Sequence, residues 1–461
     1  MPVVERPTVS DPGIAIDIAR AVQQAGGRAL IVGGWVRDRL MGRPSKDIDV
    51  EVFGLDAERL KGILAAFGPL NIVGESFTVF KVADIDVSLP RRESKIGRGH
   101  KGFAVHGDPS LSPREAARRR DFTINAISWD PLADAYEDPF DGRGDIGRRL
   151  LRAVDRSTFG DDSLRVLRAV QFAARFEFEL EESTAELCRR IPLDDLPAER
   201  VWGEIEKLLL QARRPSIGFT LALNLGVIDR LFPELEALVG CPQEPEWHPE
   251  GDVWVHTLMV IDEARTRIDD LDRPQQIAVM LGAVCHDLGK PPTTAFLDGR
   301  IRSIDHEQAG VAPATAVLDR LNIHTIGGFD VRKQVLGVTA HHLKPGMFGM
   351  SKTPVSDGAF RRLAQKVDLE ILARVAKADC MGRDGHFDCS SMDWFLQRAR
   401  ELGVQNAPPK PILLGRHLLA IGVRPGPQMG EILRLVYERQ LDGAVTNVEE
   451  GLAVAREYNR I

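Results

Sequence analysis

The sequence predicts a small α/β head followed by a long, all-helical body. Helix and strand signals alternate over roughly the first hundred residues. From about Gly160 strand signals vanish and a 3.6-residue apolar period runs to the end. At 461 residues the chain is also too long for one hydrophobic core.

The elements follow in order. Ile14 to Gln24 carries a helical apolar stripe, Ala29 to Val32 is an apolar strand, and Trp35 to Met41 is a short helix. Asp47 to Phe53 alternates as a strand, and Ala57 to Phe67 returns to helix. Thr78 to Leu89 reads as two paired strands turning near Ala83-Asp84, and Arg91 to Asp108 as a basic, glycine-containing loop. Ser112-Pro113-Arg114-Glu115 opens a helix, with serine as N-cap and Glu115 closing a capping box. Proline clusters at Pro242 to Pro249 and Pro408 to Pro411 are the expected linkers. The expected domains are 1–155 (head), 156–240 (helical neck), 241–400 (a second all-α domain) and 401–461 (helical tail).

Composition excludes several classes. Hydrophobic content of 43% with 28% charged residues is that of a folded, water-soluble chain rather than a disordered one. No apolar run approaches the roughly 20 residues that span a bilayer, so no membrane partner is expected. The first residues lack a secretory layout, and five cysteines without a C-x-x-C pair argue against a disulfide framework or zinc ribbon. A reducing, cytoplasmic location is expected. The net charge of −7 disfavours a nucleic-acid partner, but the placement of the charges points the other way. From Arg91 to Arg120, nine Lys/Arg face three Asp/Glu, an electrostatic footprint for a polyanion.

Chemistry concentrates first at Gly33-Gly34-Trp35-Val36-Arg37-Asp38 and Asp47-Ile48-Asp49. A glycine pair between a strand and a helix lets backbone amides approach a phosphate, and Arg37 adds a bidentate clamp. Residues i and i+2 of a strand share a face, so Asp47 and Asp49 are expected to form a hard oxygen site suited to Mg²⁺. Arg118-Arg119-Arg120-Asp121 supplies further triphosphate contacts and a ribose acceptor. Asp162, Arg165 and Arg168 are spaced to share a helix face, where a carboxylate and guanidinium groups can read a base edge.

These segments together resemble the signature motifs of the bacterial-type (class II) tRNA nucleotidyltransferases, the CCA-adding enzymes. Gly33 to Asp38 with Asp47-x-Asp49 is similar to the first motif. Arg119 to Ala126 is similar to the second, and Asp138-Pro139-Phe140-Asp141-Gly142-Arg143 to the hinge. Asp162-x-x-Arg165-x-x-Arg168 resembles the segment that replaces a template, and Glu199-Arg200-Val201-Trp202-x-Glu204 the helix behind it. The chain departs from the family where Asp161, Ser163 and Gln171 replace the usual glutamate, proline and arginine. The resemblance implies a polymerase β-like head and an activity, transfer of CMP and AMP from CTP and ATP to the 3′ end of tRNA with loss of pyrophosphate. It implies Asp47 and Asp49 as catalytic Mg²⁺ ligands, and Gly33, Gly34, Arg37, Arg120, Asp121, Asn125, Asp162, Arg165 and Arg168 as nucleotide-binding residues. The basic stretch from Arg91 to Lys101 is of the kind the family uses to switch from C to A addition. Two alternatives stand beside this reading: a poly(A) polymerase or partial CC- or A-adding variant, and a phosphohydrolase with a nucleotide-sensing head.

Downstream, His256, His286-Asp287, His306, His341-His342 and Asp379 form a ligand set suited to a divalent transition metal. Their order resembles the HD phosphohydrolase superfamily, which implies an accessory phosphohydrolase. Neighbouring helix residues diverge by about 100°, so only one of His341 and His342 can join the set, and His341 is the expected one.

Overall fold

The computed structural model describes residues 11–45, 47–73, 79–95 and 103–459. The chain divides into two compact units. The first comprises Met1–Leu208 with Thr220–Val227, and the second Leu209–Phe219 with Ile228–Ile461. The expected boundary near residue 240 therefore falls inside the second unit.

The first unit is built on a seven-stranded mixed sheet. Its strands are β1 (Arg28–Val32), β2 (Ile48–Phe53), β3 (Asn71–Val73), β4 (Val79–Val82), β5 (Ile85–Ser88), and two later ones, β8 (Ser128–Asp130) and β9 (Ala135–Glu137). The order across the sheet is β3-β4-β5-β2-β1-β8-β9, with β2 and β5 parallel and the other neighbours antiparallel. Between β5 and β8 lie β6 (Arg91–Lys95) and β7 (Phe103–Gly107), paired as a separate two-stranded ribbon. The Arg91 to Asp108 stretch expected as a loop is thus occupied at both ends by these paired strands, while its Ile96 to Gly102 portion lies outside the described residues.

Alternation along β2 decides what the sheet presents. Ile48, Val50 and Val52 are buried in one core with Ile18 and Val22 of α1 (Gly13–Gln24) and Leu60 of α3 (Ala57–Leu64). Trp35 and Val36 of α2 (Gly34–Leu40) join them, and Trp35 stacks on Trp129 with ring centroids 5.5 Å apart. The intervening residues Asp49, Glu51 and Phe53 take the opposite face, where Phe53 packs with Leu30, Val32 and Ala116. The turn at Ala83-Asp84 has positive φ at both positions, the primed geometry that suits a tight hairpin. Ser112 and Glu115 form the expected capping box on α4 (Pro113–Arg118).

The rest of this unit is helical: α5 (Gly142–Arg148), α6 (Leu164–Phe176) and α7 (Glu182–Arg190), with a two-residue ribbon between Leu150–Leu151 and Glu179–Leu180. Leu164, Leu167 and Phe172 of α6 pack inward as the periodicity requires.

The second unit is almost wholly α-helical, with small ribbons at Thr294–Leu297 with Arg300–Ser303 and at Thr325–Ile326 with Phe329–Asp330. These are too short to leave a period-2 signature, which is why the sequence reads as helix throughout. Its main core is formed by helices Val253–Arg265, Arg273–Cys285, Val331–His341 and Leu369–Met381. A separate apolar cluster (Leu413, Leu418, Ile432, Val436, Ala455) holds the C-terminal helices together. Although the cysteine pattern argues against a disulfide framework, Cys380 and Cys389 form a disulfide. The reversal between helices Leu369–Met381 and Ser390–Glu401 brings their Cα atoms to 5.9 Å. Among the described residues no helix is long and apolar enough to cross a membrane.

A candidate nucleotidyl-transfer cleft and a histidine-aspartate cluster

The first site starts from strand register. Val32, the last residue of β1, lies opposite Asp49, and Gly33-Gly34 follows at once. Gly33 takes φ +74°, the region that favours glycine, and caps α2. A Cβ there would meet Arg120 Nη1 at 3.0 Å and Asp49 Oδ2 at 3.6 Å, so the bare backbone lines a gap between a guanidinium and a carboxylate. On its other side Asp49 is registered with Asp86 of β5.

A cleft of about 360 Å³ opens over these residues. Gly33, Gly34, Arg37, Asp49, Arg120, Asp121, Asn125, Asp162, Arg165 and Arg168 all line it, as does Arg200. All nine residues expected to bind nucleotide therefore converge. Asp47 lies in an adjoining cavity with Asp49, Lys81 and Asp86, so Asp49 stands where the two meet.

Buried hydrogen bonds fix the cleft floor. Arg37, 5% exposed, donates from Nη1 to Asn125 Oδ1 (2.6 Å) and from Nε to Asp38 (2.8 Å), with its guanidinium over Phe176. Asn125 Nδ2 donates to Asp121 Oδ1 (2.9 Å), which also accepts from the Phe122 amide. Arg168 Nε donates to Asp121 Oδ2 at 2.6 Å. Burial alone would raise the Asp121 carboxyl, but Arg168 and these donors hold it below the usual range. Asp49 goes the other way. Desolvation, opposed by Arg120, and the nearby Asp86 and Asp47 push its carboxyl up. Three neighbouring carboxylates, with Asp49 held up by burial, are what a bound divalent cation relieves, so these residues fit a hard metal ion.

Asp162 and Arg165 are arranged differently from the helix-face expectation. Asp162 sits in the turn before α6 and is held in a fork by Arg200, at 3.1 and 2.9 Å, rather than by Arg165. Arg165 donates to the Thr158 and Arg119 carbonyls. Arg200 belongs to a recognisable sequence motif, but nothing in its spacing assigns it to the site. Glu51 escapes sequence reasoning altogether; it is 3% exposed and holds Arg119 at 3.0 Å and Arg120 at 3.8 Å. The available signal is its i+2 spacing from Asp49. Asp86, too, stands closer to the carboxylate pair than its sequence alone establishes.

The second site lies in the second unit. His256 comes from helix Val253–Arg265, which Asp252 caps, and His286-Asp287 directly follows helix Arg273–Cys285. His306 opens a short helix, and Asp379 is on Leu369–Met381. His342, not His341, completes the set. It ends helix Val331–His341 with its Nε2 3.2 Å from His306 Nε2, whereas His341 stands outside the cluster, where burial and the charges of Lys366 and Lys344 hold its pKa down. The roughly 100° rotation between neighbours sends one ring in and the other away.

The proton positions decide what this cluster can hold. His286, His306 and His342 each place Nδ1 against a backbone carbonyl, of Ala283 (2.8 Å), Ser303 (2.8 Å) and Thr339 (3.1 Å). A carbonyl only accepts, so Nδ1 carries a proton, and in the neutral ring Nε2 keeps a bare lone pair. His256 donates Nδ1 to Glu250 (2.8 Å) and turns Nε2 to Asp379 Oδ1 (3.0 Å). Asp287 is central, with Oδ2 3.2 Å from His286 Nε2 and Oδ1 3.4 Å from His306 Nε2. Four imidazole lone pairs and two carboxylates thus converge, and His286 Nε2 is buried without a hydrogen-bond partner. Such acceptor-to-acceptor contacts fit divalent cations, with Asp287 between two positions. Burial pushes His342 down to about 3, keeping it neutral as a ligand must be.

The Asp121–Arg168 pair gives a testable consequence. Arg168→Ala leaves a buried carboxylate without its cation, held only by the Asn125 and Phe122 donors, and is expected to destabilise the first unit by about 3 kcal/mol at neutral pH. A carboxyl held low in the folded state stabilises above its unfolded pKa and loses that contribution as pH falls. In Arg168→Ala the largest opposition to burial is gone while Asn125 and the Phe122 amide remain, so the Asp121 pKa rises from its wild-type position. The variant's penalty therefore shrinks between neutral pH and about pH 5, as denaturant midpoints of both proteins at the two pH values will register.

Comparison with known proteins agrees with this geometry. Residues 29–152 match the family described as Poly A polymerase head domain. Residues 177–238 match the probable RNA and SrmB-binding site of polymerase A. A Multifunctional CCA protein of Acinetobacter baumannii is 35% identical over 399 residues, covering 82% of this chain and 91% of that protein. One from Laribacter hongkongensis is 36% identical over 373 residues, covering 78% and 86%. Among solved structures, a CCA-adding enzyme of Bacillus stearothermophilus in complex with CTP aligns at a TM-score of 0.67 and 22% identity, covering 98% of both chains. A Thermotoga maritima CCA-adding enzyme complexed with tRNA aligns at 0.58 and 20%, covering 99% of this chain and 97% of that one. The structural likeness is one of fold. With the sequence identity to the multifunctional CCA proteins, it establishes that the chain belongs to the bacterial CCA-adding nucleotidyltransferase family.

Proposed function

We propose that the chain completes and repairs tRNA 3′ ends, adding CMP and AMP from CTP and ATP without a nucleic-acid template. The carrying observation is the convergence of Asp49, the Gly33-Gly34 turn and the arginine-lined cleft at one end of the sheet. The tRNA 3′-hydroxyl attacks the α-phosphate, a new phosphodiester bond forms, and pyrophosphate leaves. Gly33 and Gly34 let the triphosphate close on backbone amides, and Arg37 and Arg120 neutralise its oxygens. Asp121, with Asn125, faces the ribose. Asp162 and Arg165 offer an acceptor and donors to the base edge once they exchange their present partners, Arg200 and the Thr158 and Arg119 carbonyls. Asp47 and Asp49 would hold divalent metal, which we take to be Mg²⁺. When bound, it supplies Lewis acidity to the attacking hydroxyl and to the departing oxygens.

Purified protein given a tRNA transcript lacking its terminal CCA is expected to add C, C and A and then stop when CTP and ATP are both present. ATP alone should extend it poorly. Unlimited A addition would instead support a poly(A) polymerase. Asp49→Asn should lower transfer at least about a hundredfold, while CTP binding persists.

A second reading applies to the second unit, favoured by the converging lone pairs of His256, His286, His306 and His342 around Asp287 and Asp379. This set supports a metal-dependent phosphohydrolase, in which bound metal would supply an activated water. His342→Ala is expected to weaken Mn²⁺ or Zn²⁺ binding by about 10–100-fold, as calorimetry reads it, and His341→Ala to leave it unchanged.

A further inference from the structure

Strand register carries a row of polar groups from Asp49 to the edge of the seven-stranded sheet. Asn71 of β3 pairs with Lys81 of β4, Lys81 with Asp86 of β5, and Asp86 with Asp49 of β2. Residues in register across a sheet share one face. Phe80, Val82, Ile85 and Val87 fill the core on the other side, so these four polar side chains stand together opposite it. All four line the cavity of about 850 Å³ that meets the nucleotide cleft at Asp49.

The two cavities differ in charge. The cleft on one side of Asp49 gathers Arg37, Arg120, Arg165 and Arg168. The cavity on the other side holds Asp47, Asp49, Asp84 and Asp86, and among the described residues Lys81 is the only cation lining it. A triphosphate belongs with the arginines. In an in-line displacement the attacking oxygen comes from the side away from the departing pyrophosphate. An RNA end entering from that side meets one positive group.

Lys81 is placed for that contact. Its ammonium lies 2.8 Å from one oxygen of Asp86 and 3.0 Å from the other, and its side chain is 49% exposed. The carboxylate holds the ammonium in place, and a third hydrogen stays available for a further acceptor. Two strand spacings, roughly 10 Å, separate Lys81 from Asp49, comparable to the reach of one ribose with its phosphate. Asn71, exposed one strand further out, adds an uncharged amide beyond it.

We infer that Lys81 binds the RNA strand, holding the phosphate on the 5′ side of the terminal nucleotide so that the 3′-hydroxyl faces Asp47 and Asp49. The inference rests on the nucleotidyl-transfer reading and names the side from which the second substrate enters.

The test uses the full chain and a tRNA lacking CCA whose last internucleotide linkage is either the natural phosphate or an uncharged methylphosphonate. Single-turnover CMP addition at saturating CTP gives the half-saturating RNA concentration, and fluorescence anisotropy without CTP gives the affinity. For the wild type, removing that charge should weaken both by about tenfold. Lys81→Ala should show the same loss with natural RNA, no further loss with the methylphosphonate, and an unchanged KM for CTP. Lys81→Arg should keep the wild-type sensitivity to the linkage. A wild type indifferent to the linkage, a Lys81→Ala protein that still discriminates it, or a defect confined to the KM for CTP overturns the inference while leaving nucleotidyl transfer standing. A wild type that adds no CMP to the natural RNA overturns the transfer reading and this inference with it.

Discussion

Side-chain alternation along β2 is the constraint on which the first site depends. Because Ile48, Val50 and Val52 must enter the core against α1 and α3, Asp49 and Glu51 are forced onto the other face. Antiparallel pairing with β1 then places Asp49 opposite Val32, beside the glycine turn. Parallel pairing with β5 places Asp86 on its far side. A one-residue slip would exchange the faces, burying the carboxylates and expelling three apolar side chains, so register and chemistry are specified together.

From that fixed strand the electrostatics spread outward in pairs. Glu51 anchors Arg119 and Arg120, Asp121 anchors Arg168, and Asn125 bridges Asp121 to Arg37. Arginines gathered around one cleft repel one another, and buried carboxylates between them keep the cluster stable without a ligand. The second cluster solves a different problem. Its imidazoles have their Nδ1 protons committed to carbonyls or to Glu250, so their lone pairs face one another across a space that only cations relieve.

What is legible in the sequence follows the range of the forces involved. Strand and helix periods, the Ser112 capping box and the Ala83-Asp84 turn are local, and so can be read directly. The glycine pair and Asp49 are legible because their spacing mirrors the geometry of adjacent strands. Arg200 and Glu51 are not, since their roles arise from pairing with residues 38 and 68 positions away. Choosing between His341 and His342 depends on the phase at which a helix ends, which no spacing rule supplies. The Pro242 to Pro249 stretch reads as a linker because of its prolines. Its order comes from Ile301, Arg300 and Lys290, all distant in the chain.

The central claim is that Asp47 and Asp49 jointly ligate metal where a nucleotide triphosphate meets an RNA end. Anomalous diffraction from crystals grown with Mn²⁺ and a non-hydrolysable CTP analogue addresses it most directly. The account predicts a peak about 2.0–2.3 Å from oxygens of both aspartates, with the triphosphate lying along Gly33-Gly34. Nucleotide bound away from that turn, or manganese absent from the aspartate pair, would contradict it.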